Sequence, residues 1–378
     1  MNVLYVEMNL QPWNGGVERT TWVNSQQLRT YRIKVFYAYT MEDWNGIPHE
    51  EKVNLNFKEG KYIFVQTFCD YIKRNRIDVI INQGLTNKEL IYAYKEAIEI
   101  YGVKLINVVH VNPNYYYFTP IPLKWKIKNK LQYILTGLDP RVKGYNKLYD
   151  IADATVVLSK SYFNDFIKNY RLKNGNKLYA IPNPLSFKKS LDKDKIATKK
   201  KQVIIISRMW DFEKNISGAL RIWKKVEDLG CGEWDLILGG YGQDEDKLLK
   251  YASELGLQKF KFVGKVSNTQ ERFAESSIFM LTSNIEGFGM TLTEAMQEGC
   301  VPLAFNTYSA VNDIIDNGIN GFVIDKGEED VYAEKIKYLI DNDEIRIKMS
   351  YEALKSSEKF QEKKIGQQWV KLLKKIAQ

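Results

Sequence analysis

The chain has 378 residues, is 44% hydrophobic and carries a formal charge of +9. That length favours two domains with apolar content enough for a core in each, and no run of 18 or more apolar residues exists, which excludes a membrane-spanning helix. Three scattered cysteines, Cys69, Cys231 and Cys300, lack metal-like spacing and suit a reducing cytoplasm rather than a disulfide framework.

The opening residues, MNVLYVEMNL, lack the charged start and long apolar stretch of a secretory leader and read as a first strand over 2–8. Further apolar runs rich in Val and Ile follow at 32–39, 78–82, 104–110, 154–159 and 178–182. A second series occupies 202–207, 235–240, 260–264, 277–283, 301–305 and 321–324. Between them, 62–76, 87–101, 214–229 and 328–341 can hold helices. Continuous apolar strands separated by helices mean parallel sheets covered on both faces. The expected class is α/β: two doubly wound parallel-sheet (Rossmann-like) domains of about six strands each, facing a cleft.

The lysine-rich, aperiodic stretch SFKKSLDKDKIATKKKQ (186–202) follows the turn IPNP and marks the boundary. It gives an N-terminal domain over 1–185 and a C-terminal domain over 186–359. In the tail, 360–378, Ile365, Trp369, Leu372, Leu373 and Ile376 recur at helical spacing, so it reads as a final amphipathic helix.

The positive charge is local. Residues 113–149 carry +6 and residues 186–201 carry +5, leaving the rest near −2. In 114–149 a helical face of Leu123, Ile127, Leu131, Ile134 and Leu138 accompanies Lys124, Lys126, Lys128 and Lys130; those alternating lysines also fit a strand. Such a segment suits an anionic membrane surface, or is an ordinary connecting helix.

Ligands of open parallel sheets bind beyond the carboxyl ends of the strands, so residues just after strands are the candidates. PWNGGVERTTW follows the first strand; Gly15 and Gly16 allow close backbone approach, and a helix from about Val17 offers N–H groups to an anion. A tight turn before a helix explains the same residues. His110 ends the run KLINVVH and is either a cleft residue or a structural histidine. Arg208 ends the first strand of the second series and Lys214 lies six residues on; together they could clamp a diphosphate. LGGYGQDED, with Gly240, is a second glycine turn after a strand. SNIEGFGMTLTEAMQEG follows the strand 277–283. It sets Glu286 in a loop, Gly287 and Gly289 where backbone amides can face a ligand, a helix start near Met290, and Glu294 one turn inside, where a carboxylate suits vicinal hydroxyls. A capped surface helix is the bland alternative.

With EGFGMTLTEAM, SR…EKN at 207–215, GGVER at 15–19 and VVH at 108–110 in this order, the chain resembles glycosyltransferase family 4 over nearly its whole length. The resemblance implies the GT-B fold and sugar transfer from a nucleotide-sugar donor with retention of configuration. It implies that Arg208 and Lys214 hold the diphosphate, Glu294 the ribose and Glu286 the transferred sugar. Backbone around Phe288, Gly289 and Met290 would contact sugar and phosphate, and Gly240 fits the family's glycine turn. Gly15 and Gly16 would approach the diphosphate, and His110 the sugar from the other wall. Glu286 and His110 are the expected catalytic pair, and the last helix would cross back to the first domain. The resemblance implies a UDP-hexose or UDP-N-acetylhexosamine donor and a glycan or lipid-linked acceptor in capsule or lipopolysaccharide synthesis. The setting would be the cytoplasm, peripheral to the inner face of the membrane. No cofactor, metal or nucleic acid is expected. The pairs Asp192/Asp194, Asp244/Asp246 and Asp341/Asp343 read as a linker and exposed acidic turns. Two competing readings are another GT-B activity, such as an epimerase or phosphorylase, and a basic nucleic-acid-binding protein.

Overall fold

The computed structural model describes residues 1–57, 60–115 and 142–378. They divide into two compact units: Met1–Pro184 with Glu362–Gln378, and Leu185–Gln361.

The first unit is built on a parallel sheet of seven strands. These are β1 (Asn2–Asn9), β2 (Lys34–Glu42), β3 (Lys52–Asn54), β4 (Val79–Asn82), β5 (Lys104–Val109), β6 (Ala154–Val157) and β7 (Leu178–Ala180). Their order is β3-β2-β1-β4-β5-β6-β7. Successive side chains of β1 feed opposite faces. Val3 and Tyr5 join Leu28 of the helix Gly16–Thr30 and Ile365, Trp369 and Leu373 of the helix Glu362–Ile376. Leu4 and Val6 join Phe64 and Phe68 of Lys61–Asn75 and Tyr94 of Lys88–Tyr101. Strand β3 is the element the sequence did not announce. It has three residues, pairs only with β2 at the sheet edge, and offers Val53 as its one apolar side chain, too little to form a pattern.

The tail follows its periodicity. Ile365, Trp369, Leu372 and Leu373 are buried while Lys363, Lys364, Lys371 and Lys374 are exposed. A 15-residue helix is marginal alone in water. Each large apolar side chain it buries contributes about 1.5–3 kcal/mol, which docks it. A Cβ on Gly366 would lie 2.8 Å from Gln27 Cβ, so the missing side chain lets the two helices close.

The second unit has a six-stranded parallel sheet: β8 (Lys200–Arg208), β9 (Asp235–Tyr241), β10 (Phe260–Phe262), β11 (Ser276–Leu281), β12 (Val301–Phe305) and β13 (Phe322–Ile324). The order, β10-β9-β8-β11-β12-β13, repeats that of the first six strands of the first unit. Both β11 and β12 are buried along their whole length, as a sheet covered on both faces requires.

One expectation changes here. The helix expected over 214–229 is two helices, Asp211–Lys214 and Ile216–Asp228, broken at Asn215, whose φ is +47°. The lysine-rich stretch 186–202, which the sequence puts at the start of the C-terminal domain, is fastened to the second unit. Gln297 Nε2 donates to the Phe187 carbonyl at 2.7 Å, and Gln270 Nε2 to that of Lys189 at 2.9 Å. The Lys199 ammonium donates to the carbonyls of Phe273 and Glu298. Leu185 and Ile196 are buried apolar anchors among the lysines. The basic segment read as membrane-facing lies mostly in 116–141, outside the described residues.

Candidate functional site

In each sheet the chain reverses its winding direction between two adjacent strands, β1/β4 and β8/β11, which opens a crevice at their carboxyl ends. The sequence motifs fall on these two places.

In the second unit, β8 delivers Arg208, in register with Tyr241 of β9. The two strand ends lie so close that a Cβ on Gly240 would sit 1.9 Å from the Ser207 carbonyl oxygen, and one on Gly242 2.6 Å from that of Met209. The missing side chain at Gly240 thus lets its strand close on the one that carries Arg208. After β8 the helix Asp211–Lys214 is tied from three directions. The Asp211 N–H donates to Asp244 Oδ2 at 2.8 Å, so Asp244 is a working acceptor rather than an exposed acidic turn. The N–H groups of Asn284 and Ile285 donate to the Glu213 carbonyl at 2.8 and 3.2 Å, joining the loop after β11 to the loop after β8. Asn215, in its left-handed turn, donates to the Thr282 carbonyl at 3.2 Å, while Thr282 Oγ1 donates to the Asn215 carbonyl at 3.0 Å.

This framework aims the charged groups. Lys214 Nζ lies 2.7 Å from Glu286 Oε1, and both side chains are mostly buried, 14% and 12% exposed. Ser283 Oγ donates to the same oxygen at 2.7 Å. Arg208 pairs with Glu213 at 3.2 Å, but its own side chain is 66% exposed while Glu213 is 9%. A ligand can therefore reach Arg208 without unburying its partner. Gly289 caps the helix Met290–Gln297 with φ +84°, and a Cβ there would meet the Tyr308 hydroxyl at 2.6 Å, so both conformation and space demand glycine. The start of that helix carries the positive end of its dipole. Glu294 is 3% exposed and accepts from Ser186 Oγ at 2.5 Å. The Phe288 side chain is buried with its ring 5.5 Å from Phe360, edge to face, so only its backbone is available to a ligand.

The first unit's crevice is different in kind. Gly15 is the extended N-cap of Gly16–Thr30 and its bare Cα leaves room for the Glu18 carboxylate, which a Cβ would meet at 2.6 Å. His110, just past β5, shares its Nε2 with Gln83 Oε1 at 2.5 Å. With that oxygen as acceptor, Nε2 carries the proton and Nδ1 is the bare nitrogen. Burial pushes the imidazole pKa down to about 4, so it is neutral at ordinary pH. Burial also raises the Glu7 carboxyl, near the end of β1, well above the usual range, against the lowering effect of the nearby Thr21 hydroxyl. Beneath them, Asn82 Nδ2 donates to Asn107 Oδ1 at 2.7 Å, and Tyr94 donates to Asn82 Oδ1 at 3.0 Å.

The sequence singles out Arg208, Lys214, Glu286 and Glu294 but not the groups that hold them. Glu213 and Asn215 flank Lys214 within the quoted EKN and were open to notice. Ser186 lies 108 positions from Glu294, and nothing local in the sequence links them.

Two sheets of this order in two units define the GT-B fold. HepE of Anabaena, solved in complex with UDP, superposes with a TM-score of 0.75 over 99% of this chain and all of that one, at 17% identity. Residues 187–356 match the model of the family described as glycosyl transferases group 1. The second unit therefore belongs to that family of enzymes. Among curated relatives, the amylovoran biosynthesis glycosyltransferase AmsD of Erwinia amylovora is 26% identical over 230 residues, 60% of this chain and 63% of its own. The poly(glycerol-phosphate) alpha-glucosyltransferase of Bacillus subtilis is 25% identical over 264 residues, 69% of this chain and 38% of its own. The matches thus span less than two thirds of these relatives.

Proposed function

We propose that the chain transfers a sugar from a nucleotide-sugar donor, a UDP-hexose or UDP-N-acetylhexosamine, to a glycan or lipid-linked acceptor in cell-surface polysaccharide synthesis, with retention of configuration. One observation carries this reading. Two cations, two carboxylates and a helix start are gathered at the β8/β11 crevice of a glycosyl transferases group 1 domain. The names of relatives, an amylovoran biosynthesis glycosyltransferase, a poly(glycerol-phosphate) alpha-glucosyltransferase and a lipopolysaccharide 1,6-galactosyltransferase, support the setting.

In this reading Arg208 and Lys214 bind the diphosphate, with the start of the helix Met290–Gln297 behind it. As the glycosidic bond breaks, negative charge grows on the leaving diphosphate, and fixed positive charge there lowers the barrier. Lys214 must then turn from Glu286 to phosphate, leaving the Glu286 carboxylate for hydroxyls of the transferred sugar. Glu294 accepts from the ribose in place of, or alongside, Ser186. The backbone at Phe288, Gly289 and Met290 contacts sugar and phosphate. These cations supply the neutralisation that a metal provides elsewhere.

Gly15, Gly16 and His110 are assigned to the donor and acceptor from the first unit's loops. A histidine held neutral down to about pH 4 is a weak base. It suits hydrogen bonding to a sugar hydroxyl, with the leaving diphosphate taking the acceptor's proton. Among the described residues no helix is long and apolar enough to cross a membrane. The +6 charge of 113–149 supports peripheral attachment to an anionic inner leaflet, which co-sedimentation with anionic vesicles at rising salt tests.

The deciding experiment is a thermal-shift panel of UDP-, GDP- and ADP-sugars, followed by nucleotide-release assays with and without acceptor. A UDP-sugar should raise the melting temperature and release UDP faster with acceptor. If no nucleotide sugar stabilises the protein, the reading is wrong.

A further inference from the structure

On the outer side of the first unit, the helices Lys61–Asn75 and Lys88–Tyr101 enclose a groove of about 510 Å³. It is separate from the residues assigned above. One helix contributes residues 61, 62, 65, 66, 69 and 70, and the other 92, 96, 100 and 101, each set a single stripe at helical spacing. The opposite stripes of the same helices, with Phe64, Phe68, Leu90 and Tyr94, form the core. The groove face is therefore not what folds the unit, yet it is aromatic. Tyr62 is 83% exposed, and Tyr92 and Tyr101 also stand open to solvent.

Hydrogen-bonding groups lie between the rings. Gln66 and Asp70 line one wall and Glu96 the other. Tyr92 is held in place by the Lys61 ammonium, which sits 3.6 Å from its ring centroid. That leaves Tyr62 and Tyr101 as the uncovered platforms. A flat aromatic face beside acceptor-only carboxylates and an amide matches a pyranose, which has an apolar C–H face and a rim of hydroxyls. The groove's size is within the range of about 300–1,000 Å³ typical of small-molecule sites. Its ionic lining is one lysine against two carboxylates, so it is unfavourable to an anionic bilayer or a phosphate-rich polymer, in contrast to the basic segments elsewhere in the chain.

We propose that this groove binds a neutral stretch of the glycan acceptor, away from the transfer site, and keeps the growing chain on the enzyme between transfers. The proposal rests on the reading that the acceptor is a glycan. Tethering would raise the local concentration of acceptor ends without a new contact at the reacting atoms.

The test is saturation-transfer NMR and titration of the full chain with neutral hexasaccharides: maltohexaose, cellohexaose, mannohexaose, galactohexaose and chitohexaose. At least one should bind. Tyr62→Ala and Tyr101→Ala should each weaken it about 2- to 12-fold, the equivalent of an aromatic contact worth ~0.5–1.5 kcal/mol. Circular dichroism melts check that both variants fold. UDP binding, followed by thermal shift on the same proteins, should not move. Lys214→Ala should weaken UDP and leave the oligosaccharide unchanged. If no hexasaccharide binds, or if binding survives the Tyr62→Ala/Tyr101→Ala double variant, the groove is not a glycan site. Binding of anionic vesicles that is lost in Tyr62→Ala would also overturn it, in favour of lipid. Failure of UDP to bind while the groove still takes sugar would instead overturn the donor-site reading.

Discussion

The two units share one strand order, yet their crevices hold opposite chemistry. At β8/β11 the loops present Arg208, Lys214, Glu286 and Glu213 as two ion pairs, one mostly buried and one with its arginine exposed. At β1/β4 and the adjacent end of β5 the polar groups are amides, a neutral imidazole, a carboxyl whose pKa burial raises, and the Glu18 carboxylate beside Gly15. The sheet decides where loops emerge; the few residues after each strand decide whether the place is ionic or neutral. The difference teaches that the strand order the two sheets share does not extend to the side chains that follow their strands.

The sharpest way to break the contrast is Lys214→Ala. It removes a cation from the ionic crevice, so nucleoside diphosphate should bind about 10- to 150-fold more weakly, as for a lost charged hydrogen bond of ~1.5–3 kcal/mol. His110→Ala, in the neutral crevice, should leave that affinity nearly unchanged in the same calorimetric titration. Equal losses from both would erase the distinction.

Glu286→Gln separates sugar from phosphate within the ionic crevice. Donor turnover should fall by about 10²–10³-fold, the scale seen when one transition-state contact is removed. Nucleoside diphosphate binding should not weaken, because Lys214 is freed from its 2.7 Å partner. A folded Glu286→Gln protein that no longer binds the diphosphate would move Glu286 from the sugar to the phosphate.

A smaller effect sharpens the neutral side. The His110 pKa is lowered from 6.5 to about 4. A depressed pKa contributes stability that is present above about pH 6.5 and lost as pH falls through about 4. Urea melts of His110→Asn should therefore narrow the gap to the parent protein over that window, and the pH–rate profile should show no histidine step near 6.5.

The smallest effect lies at the far end of the second sheet, at Glu298. Its carboxyl, buried and bonded to Gln270 at 2.9 Å, is pushed from 4.5 up to about 7 by burial, despite the lowering effects of Gln270 and Lys199. A raised pKa means its contribution is full below about 4.5 and fades as pH rises through about 7. Glu298→Gln should flatten that decline in urea melts without changing nucleotide binding. A variant with the same pH slope as the parent would show that Glu298 ionises normally.

What the sequence determined by itself was whatever is written in short-range pattern. Unbroken apolar runs such as DVIIN and SIFMLTS gave parallel strands. The spacing of Ile365, Trp369, Leu372 and Leu373 gave the last helix, and the glycines at 287 and 289 with the helix start near Met290 gave the loop. The charged residues worth naming were visible because they follow strands, where such folds bind ligands. What only the tertiary structure decided were meetings between segments distant in the chain. Glu286 finds Lys214 across 72 positions and Glu294 finds Ser186 across 108. Gly240 meets the Ser207 backbone, and the lysine-rich stretch is fastened down by Gln270 and Gln297. The reason is physical: periodicity is set by each segment's own backbone geometry, whereas ion-pair partners, burial and the pKa changes they cause depend on which loops the sheet order brings side by side.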